Sequence, residues 1–375
     1  MIEIRELRTR ADQTAFIRLP GQILRNDPCW VEPLVFERRA VMTPKTNPVF
    51  EHADVRFWLA CRNGRPVGRI SAQVDRLAAK VDGKTVGFFG MLAAEDDGET
   101  VKALFDQAEG WLQEKGCAIV RGPFSLSINQ ESGILIDGFD TPPNLLMPHD
   151  PPWLGGRVEE QGYHTGANLL AYEMPLGPSA LDPTRKVAAR KVPGQVIRSL
   201  DMSRYQEEMR MLCRIFNDAW VDNWGFVPMT QAEADAMAHE IRPIVDPKMV
   251  QIAEQDGRGV GFIIFLPNIN EALHDLDGRL FPFGWAKLIW RLKVKSPKTA
   301  RVPLMGVETA TRDTFAGKML PYKLIHALEP RGLVRGFKTL ELSWILETNK
   351  AVRTVIESLS GKVIKTYRVY EKDLA

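Results

Sequence analysis

Val307-Glu308-Thr309-Ala310-Thr311-Arg312-Asp313-Thr314-Phe315-Ala316-Gly317-Lys318 reads as a strand running into a small-residue turn flanked by cations, with a helix to follow. The spacing predicts backbone N–H groups left without partners at the helix start and a dipole that favours negative charge there, which suits a pyrophosphate. Arg312 and Lys318 add positive charge. Ala316 and Gly317 leave room for a phosphate to approach the backbone.

Outward from this stretch the same order of elements can be read twice. Upstream, Met249–Glu254 leads through Asp256-Gly257 into Gly259–Leu266, a hairpin signal, and Val302–Ala310 is the third strand. A helix is expected around Leu320–Leu328, where Leu320, Leu324, Ile325 and Leu328 share a side and Pro321 falls early enough to be tolerated. Thr339–Leu346 is the next strand, Asn349 an N-cap for a short helix ending at Gly361, and Lys362–Lys372 a closing strand of the second domain. The first half matches: Val55–Arg62, Asn63-Gly64, Pro66–Val74, a strand at Val86–Ala94, a helix at Glu99–Lys115 stopped by Gly116, and a strand from Cys117. Trp153–Gln161 and Asn168–Met174 are the counterparts of the final helix and strand. A duplicated α/β (α+β) plan follows, with domains at 1–175 and 195–375. The Pro- and Gly-rich, basic stretch 176–194 is expected as the linker.

Bulk properties bound the function. Two domains suit 375 residues, and 45% apolar with 26% charged residues describes ordinary globular protein. The 49 basic and 47 acidic residues leave a net charge of +2, which gives no bulk cationic character for nucleic-acid binding. Cys29, Cys61, Cys117 and Cys213 are scattered, without the close spacing of a zinc or redox motif, and no metal site is expected. The charged N-terminus and the lack of a long apolar run point to a cytoplasmic protein, or one at the cytoplasmic face of the inner membrane.

The stretch at Val307–Lys318 resembles the signature of the GNAT acyltransferase superfamily. Val307 stands five residues before Arg312, which opens an Arg-x-x-Gly-x-Gly/Ala pattern whose last position is Gly317; Phe315 replaces its first glycine. Leu340–Leu346, Asn349, Ala351, Gly361 and Tyr367–Lys372 resemble the same family's final strand–Asn–helix–Gly–strand, although Ile356 stands where that family often has a tyrosine acid. The resemblance implies two GNAT-like domains, each a mixed, mostly antiparallel central sheet flanked by helices. It implies acyl-CoA as co-substrate, held by Val307, Thr309, Arg312, Ala316, Gly317, Lys318 and Asn349. The first copy has Glu95, Asp96, Asp97, Gly98 and Glu99 before its helix. Those acids repel a diphosphate, so the first domain is expected to be degenerate, serving as scaffold or on the acceptor side.

Aminolysis of a thioester requires a neutral amine and a stabilised oxyanion. In this superfamily the oxyanion meets backbone N–H groups of a splayed strand, here Val307–Thr309. Glu308 is the first candidate for the base, with Glu341, Glu347 and His326 as rivals. Pro267–Ala300 is an insertion with no counterpart of similar length in the first half. Within it Trp285, Leu288, Ile289 and Leu292 share one helical face and Lys287, Arg291 and Lys295 the other, a pattern suited to a membrane surface, a lipid tunnel or packing on the core. Asn217–Phe226, including Asn223 and Trp224, and Pro267–Glu271, including Asn270, place amides beside aromatics. With the insertion, Trp285 included, and with Glu341, Trp344 and Glu347, these resemble a narrower group of tandem-GNAT bacterial proteins that includes bacterial ceramide synthases. That resemblance implies a lipid amine acceptor, a sphingoid base converted to ceramide or 3-keto-ceramide. N-acylation of an amino acid or other small amine, from acyl-CoA or an acyl-carrier protein, remains the competing enzyme reading, and a non-catalytic CoA- or lipid-binding module the competing non-enzyme one. No P-loop supports nucleotide hydrolysis.

Overall fold

Asn63 and Gly64 adopt φ of 51° and 79°, and Asp256 and Gly257 the same pair of values. Two consecutive positive φ angles define the tight hairpin turn that matches strand twist, so the two hairpins read in the sequence are both present. The computed structural model describes residues 1–242 and 245–374.

In chain order the elements are β1 (Ile2–Glu6), α1 (Arg10–Ile23), α2 (Val35–Val41), β2 (Ala53–Arg62), β3 (Arg65–Asp75), β4 (Val86–Ala94), α3 (Gly98–Glu114), β5 (Ile119–Gly122), β6 (Ile134–Asp137), α4 (Leu154–Glu159) and β7 (His164–Pro175). There follow α5 (Pro178–Ala188), β8 (Gln195–Ser199), α6 (Tyr205–Trp220), α7 (Gln231–Ile241), β9 (Val250–Gln255), β10 (Arg258–Pro267), α8 (Asn270–Leu273) and α9 (Gly284–Trp290). The chain ends with β11 (Thr299–Val307), α10 (Thr309–Arg312), α11 (Phe315–Val334), β12 (Thr339–Leu346), α12 (Lys350–Ser358) and β13 (Lys362–Asp373). Both halves are mixed, mostly antiparallel sheets flanked by helices, as the sequence indicates.

The chain forms two units. Unit 1 is Met1–Leu169 with Leu273–Leu288 and Lys365–Ala375; unit 2 is Leu170–Ala272 with Ile289–Ile364. Three features differ from the sequence reading. Lys362–Lys372 does not simply close the second domain: Tyr370–Asp373 of β13 pair antiparallel with Ile119–Gly122 of β5, and Thr366–Arg368 pair with β6, all in unit 1. The stretch expected as a linker holds helix α5, which starts on Pro178, where a missing N–H costs nothing. It packs on α11 within unit 2 through Thr184. Strand β11 begins and ends earlier than expected, because Thr309 and Ala310 already belong to α10.

In unit 1 the strand order is β1-β2-β3-β4-β5-β13. One face carries α3, whose Val101, Leu104, Phe105, Ala108 and Leu112 pack with Ile70, Ala72 and Phe89. Phe16, Ile17 and Leu19 of α1 form a separate core with Val55, Leu59, Met91 and Leu126. In unit 2 the order β12-β11-β10-β9-β8 carries α11 in one core, through Leu320, Leu324, Ile325 and Leu328, and α6 in the other, through Met209, Leu212, Ile215 and Phe216. Each unit contains a parallel pair. Strands β4 and β5 pair at Val86–Phe88 with Ile119–Arg121, and β11 and β12 at Thr299–Val302 with Thr339–Leu342.

Candidate active site in unit 2

Beyond Val302 and Leu342 the strands β11 and β12 continue without the paired register, so amides of β11 facing away from β10 line an opening in the sheet. This is a wedge of backbone donors in which a polarised carbonyl could be received. At its base lies a buried polar group. Arg301 donates through Nε to Ser343 Oγ at 2.9 Å and through a terminal nitrogen to the Ser343 carbonyl at 3.0 Å. Ser343 Oγ in turn donates to Glu341 at 2.5 Å. All three residues are buried, so Glu341 is tied into the seam of the parallel pair.

The end of β11 is more occupied than the sequence suggested. The Glu308 N–H donates to the Val260 carbonyl at 2.8 Å, and the Thr309 N–H to Asp218 of α6 at 2.6 Å. Both amides are therefore engaged within the protein. The Glu308 side chain is buried and accepts from both Arg214 and Arg258. A carboxylate so engaged fastens the end of β11 to α6 and β10. Val307 remains in the ladder opposite Gly261.

Helix α11 starts as expected, though its details differ. Thr314 caps it, its hydroxyl accepting the Gly317 N–H at 2.9 Å. A Cβ on Gly317 would stand 1.9 Å from the Thr311 carbonyl oxygen, so this glycine is required by the turn of α10 folded against α11. Room for a phosphate is not needed to explain it. The amides of Phe315 and Ala316 still lie in the first helical turn, where no intrahelical acceptor exists. Lys318 is exposed. Arg312 pairs at 3.1 Å with the exposed Asp222, a solvent-accessible contact of the kind that contributes little. Arg190 stacks at 4.8 Å over Phe315, which adds a cation that the sequence signature does not contain. Three cations at one helix start fit a diphosphate, although Asp222 and Asp313 temper the field.

The remaining site residues divide. Asn349 caps α12 by accepting the Val352 N–H at 3.2 Å, and Glu347 is exposed near it. Asn223 lies in the turn after α6, its N–H on the Trp220 carbonyl at 2.8 Å, with Trp224 half-buried beside it. Asn270 begins α8, its N–H donating to Asn268 at 3.2 Å. Nearby Glu271 accepts from the amides of Lys298 and Thr299 and so clasps the two ends of the insertion together. Asn217 bonds the Met229 backbone both ways at 2.9 Å. Of these residues, Asn217 uses its side-chain amide to hold backbone. Trp344 is half-buried on β12. Trp285 belongs to the part of the insertion that joins unit 1, apart from the other four. His326 takes its ring Nε2 to Thr184 Oγ1 at 2.9 Å, and burial lowers its pKa. It is a packing residue between α11 and α5.

Sequence reasoning missed Arg214 and Arg258, which lie 94 and 50 residues from Glu308. It also missed the buried Arg301–Ser343 contact; an arginine at the start of an apolar strand was the available signal. In unit 1 the acidic loop before α3 is answered locally. Asp97 caps Thr100 and binds Arg62, and Arg157 binds Asp96. Among the described residues no set of three His, Cys, Asp or Glu could hold a metal ion, and no helix is long and apolar enough to cross a membrane.

No family model matches the chain. The fold is that of solved tandem and GCN5-related N-acetyltransferase structures. A tandem GNAT protein from the clavulanic acid biosynthesis pathway superposes with a TM-score of 0.58 at 12% identity, covering 100% of this chain and 98% of that one. A GCN5-related N-acetyltransferase from Sphaerobacter thermophilus gives 0.54 at 15% identity, covering 99% and 95%. In sequence, the chain is 48% identical over 370 residues to the bacterial ceramide synthase of Caulobacter vibrioides, covering 98% of this chain and 96% of the relative. It is 44% identical over 372 residues to protein YghO of Escherichia coli, covering 99% and 95%. The chain therefore belongs to this family of tandem GNAT-superfamily acyltransferases.

Proposed function

We propose that the chain transfers a long-chain acyl group from acyl-CoA to the amine of a sphingoid base, giving ceramide or 3-keto-ceramide. The observation that carries this reading is the 48% identity to a bacterial ceramide synthase over nearly the full length of both chains. The chemistry is R–NH2 plus R′CO–S–CoA giving R′CO–NH–R plus HS–CoA: the nitrogen lone pair forms the amide bond, the C–S bond breaks, and the amine proton ends on sulfur or solvent. The wedge between β11 and β12 supplies amides for the oxyanion, and Arg190, Arg312 and Lys318 supply charge for the diphosphate at the start of α11.

A membrane-facing role accompanies this reading. Around α9, Phe281 (84% exposed), Phe283 (78%), Trp285 (49%), Trp290 (53%) and Val294 (69%) face solvent. Lys287 and Lys295 are exposed as well. An apolar patch with a basic fringe suits adsorption to an anionic bilayer, where a long-chain amine and acyl-CoA concentrate, and this supports a location at the cytoplasmic membrane face.

Release of CoA thiol by the purified chain from palmitoyl-CoA, read colorimetrically against a panel of amines, tests the proposal. Sphinganine or its 3-keto form should stimulate release. Stimulation by amino acids alone would assign the chain to small-amine acylation, and release that no amine stimulates would remove the transfer activity.

A further inference from the structure

The segment that joins α5 to β8 brings to the start of α11 a charge that the fold leaves without an acid. Thr184 of α5 meets the His326 ring at 2.9 Å, and Gln195 at the start of β8 accepts from Lys323 at 2.5 Å. Both partners lie on α11, so the residues between Thr184 and Gln195 are held against that helix at either end, all within unit 2. Arg190 directly follows the α5 C-cap, Ala189, and its N–H donates to the Val187 carbonyl at 3.2 Å. From there its guanidinium lies over the Phe315 ring, 4.8 Å from the centroid.

Among the described residues Lys186, Arg190, Lys191 and Lys318 make no ion pair within 4.0 Å, and all four are exposed. Arg185 is different, being engaged by Asp182 at 3.0 Å and Glu329 at 3.6 Å. Arg312, the cation of the signature, has Asp222 against it. A guanidinium stacked on a ring uses its face and keeps its in-plane N–H groups, which are the ones that take phosphate oxygens in pairs. Among the described residues no acceptor engages those groups of Arg190. Phe315, 65% exposed, stands where the signature has its first glycine. As the first residue of α11 it needs no glycine conformation, and a glycine there would leave Arg190 nothing to lie on.

We propose that Arg190 and Phe315 form a donor-selecting pair, in which the ring positions the guanidinium and the guanidinium binds a phosphate of the CoA nucleotide. The inference rests on the proposed binding of acyl-CoA at the start of α11, and names what this chain uses in place of the signature glycine. CoA carries a diphosphate and a 3′-phosphate. A pantetheine thioester carries no phosphate, and the phosphopantetheine of a carrier protein has a single phosphodiester. An arginine held ready for phosphate therefore favours free acyl-CoA over donors presented without the nucleotide. Arg190 meets the ligand; Phe315 acts through it as a positioning residue.

Steady-state kinetics of the full chain and of R190Q, F315G and F315L test this, varying palmitoyl-CoA or palmitoyl-pantetheine at fixed sphinganine. Thermal melting is the control for folding. R190Q should raise KM for palmitoyl-CoA about tenfold, the size of one lost charge-assisted contact, with kcat within about twofold. The KM for palmitoyl-pantetheine should not move. F315G restores the signature residue, yet it should raise KM for palmitoyl-CoA too. The double variant should be no worse than R190Q alone, because the ring acts through the arginine. F315L keeps an apolar residue at the helix start without a π face and should match F315G, which separates loss of the platform from loss of helix stability. An unchanged KM for palmitoyl-CoA in a folded R190Q, an equal rise with palmitoyl-pantetheine, or tighter use of palmitoyl-CoA by F315G would overturn the pair. If no amine is acylated, the functional reading fails and calorimetric titration with CoA decides. A Kd weakened in R190Q keeps the pair; equal Kd values, or no binding by the wild type, remove it.

Discussion

Arg301 and Glu341 are register partners where β11 and β12 run parallel, and both are buried at the point where the two strands part. Ser343 joins them, taking two donors from Arg301 and giving its own hydroxyl to Glu341. The wedge in the sheet is thus pinned at its apex by charge and hydrogen bonds in an interior where leaving one member behind is expensive. Arg301→Met should cost about 3–5 kcal/mol of unfolding free energy, the range for breaking one side of a buried ionic group. Urea denaturation measures it; a cost below about 1 kcal/mol, the scale of an exposed pair, would mean the cluster does not hold the apex.

Glu308 separates positioning from proton transfer. With Arg214 and Arg258 on its carboxylate, Glu308→Gln should lower the denaturation midpoint. Acyl transfer should drop by less than the roughly hundredfold associated with a lost general base. A larger drop in kcat in a protein of unchanged stability would restore Glu308 as the base.

At Gly317 the expectation is steric. A Cβ there meets the Thr311 carbonyl oxygen, which is backbone and unable to swing aside. Gly317→Ala should cost about 1–3 kcal/mol and raise KM for acyl-CoA, since α10 and the start of α11 must separate. Equal stability and equal KM would show that the turn yields freely.

Acid should weaken the fold through its buried histidines. Burial lowers the pKa of His326 in unit 2 and of His149 in unit 1 below the ordinary 6.5. With depressed folded values, their contribution is complete above 6.5 and declines as pH falls through that value toward the folded pKa, because the unfolded chain gains protons first. Denaturation midpoints should fall between pH 7.5 and 5.5, and His326→Gln should shrink the fall. A midpoint independent of pH in that window, with the variant the same, would contradict this.

The aromatic surface of α9 makes a prediction about membranes. Trp285→Glu with Trp290→Glu should abolish cosedimentation with vesicles rich in anionic lipid while leaving the melting temperature unchanged, because both rings are about half exposed and contribute little to the core. Equal sedimentation of the variant would remove this patch from membrane binding.

Local signals explain what the sequence made legible. The two hairpins were readable because Asn-Gly and Asp-Gly adopt positive φ at little cost, and strands β4 and β12 fall on the expected residues. The partner of β13 was not. Its β-branched and aromatic residues specify a strand but not which sheet edge receives it, so its assignment to unit 1 is a tertiary choice. Prolines misled at α5, where Pro178 opens a helix that composition alone read as linker. In the site, the Asn349 cap was legible from three-residue spacing, whereas the arginine clamp on Glu308 joins distant segments and leaves no local pattern.

The most direct measurement is mass spectrometry of the organic-soluble product formed when the purified chain is given palmitoyl-CoA with sphinganine or 3-keto-sphinganine, serine being the competing acceptor. An amide with the mass of ceramide or 3-keto-ceramide, formed in preference to N-palmitoylserine, is the expected result. Exclusive formation of N-palmitoylserine, or no amide at all from a folded protein, would contradict assignment of the chain as a lipid-amine acyltransferase.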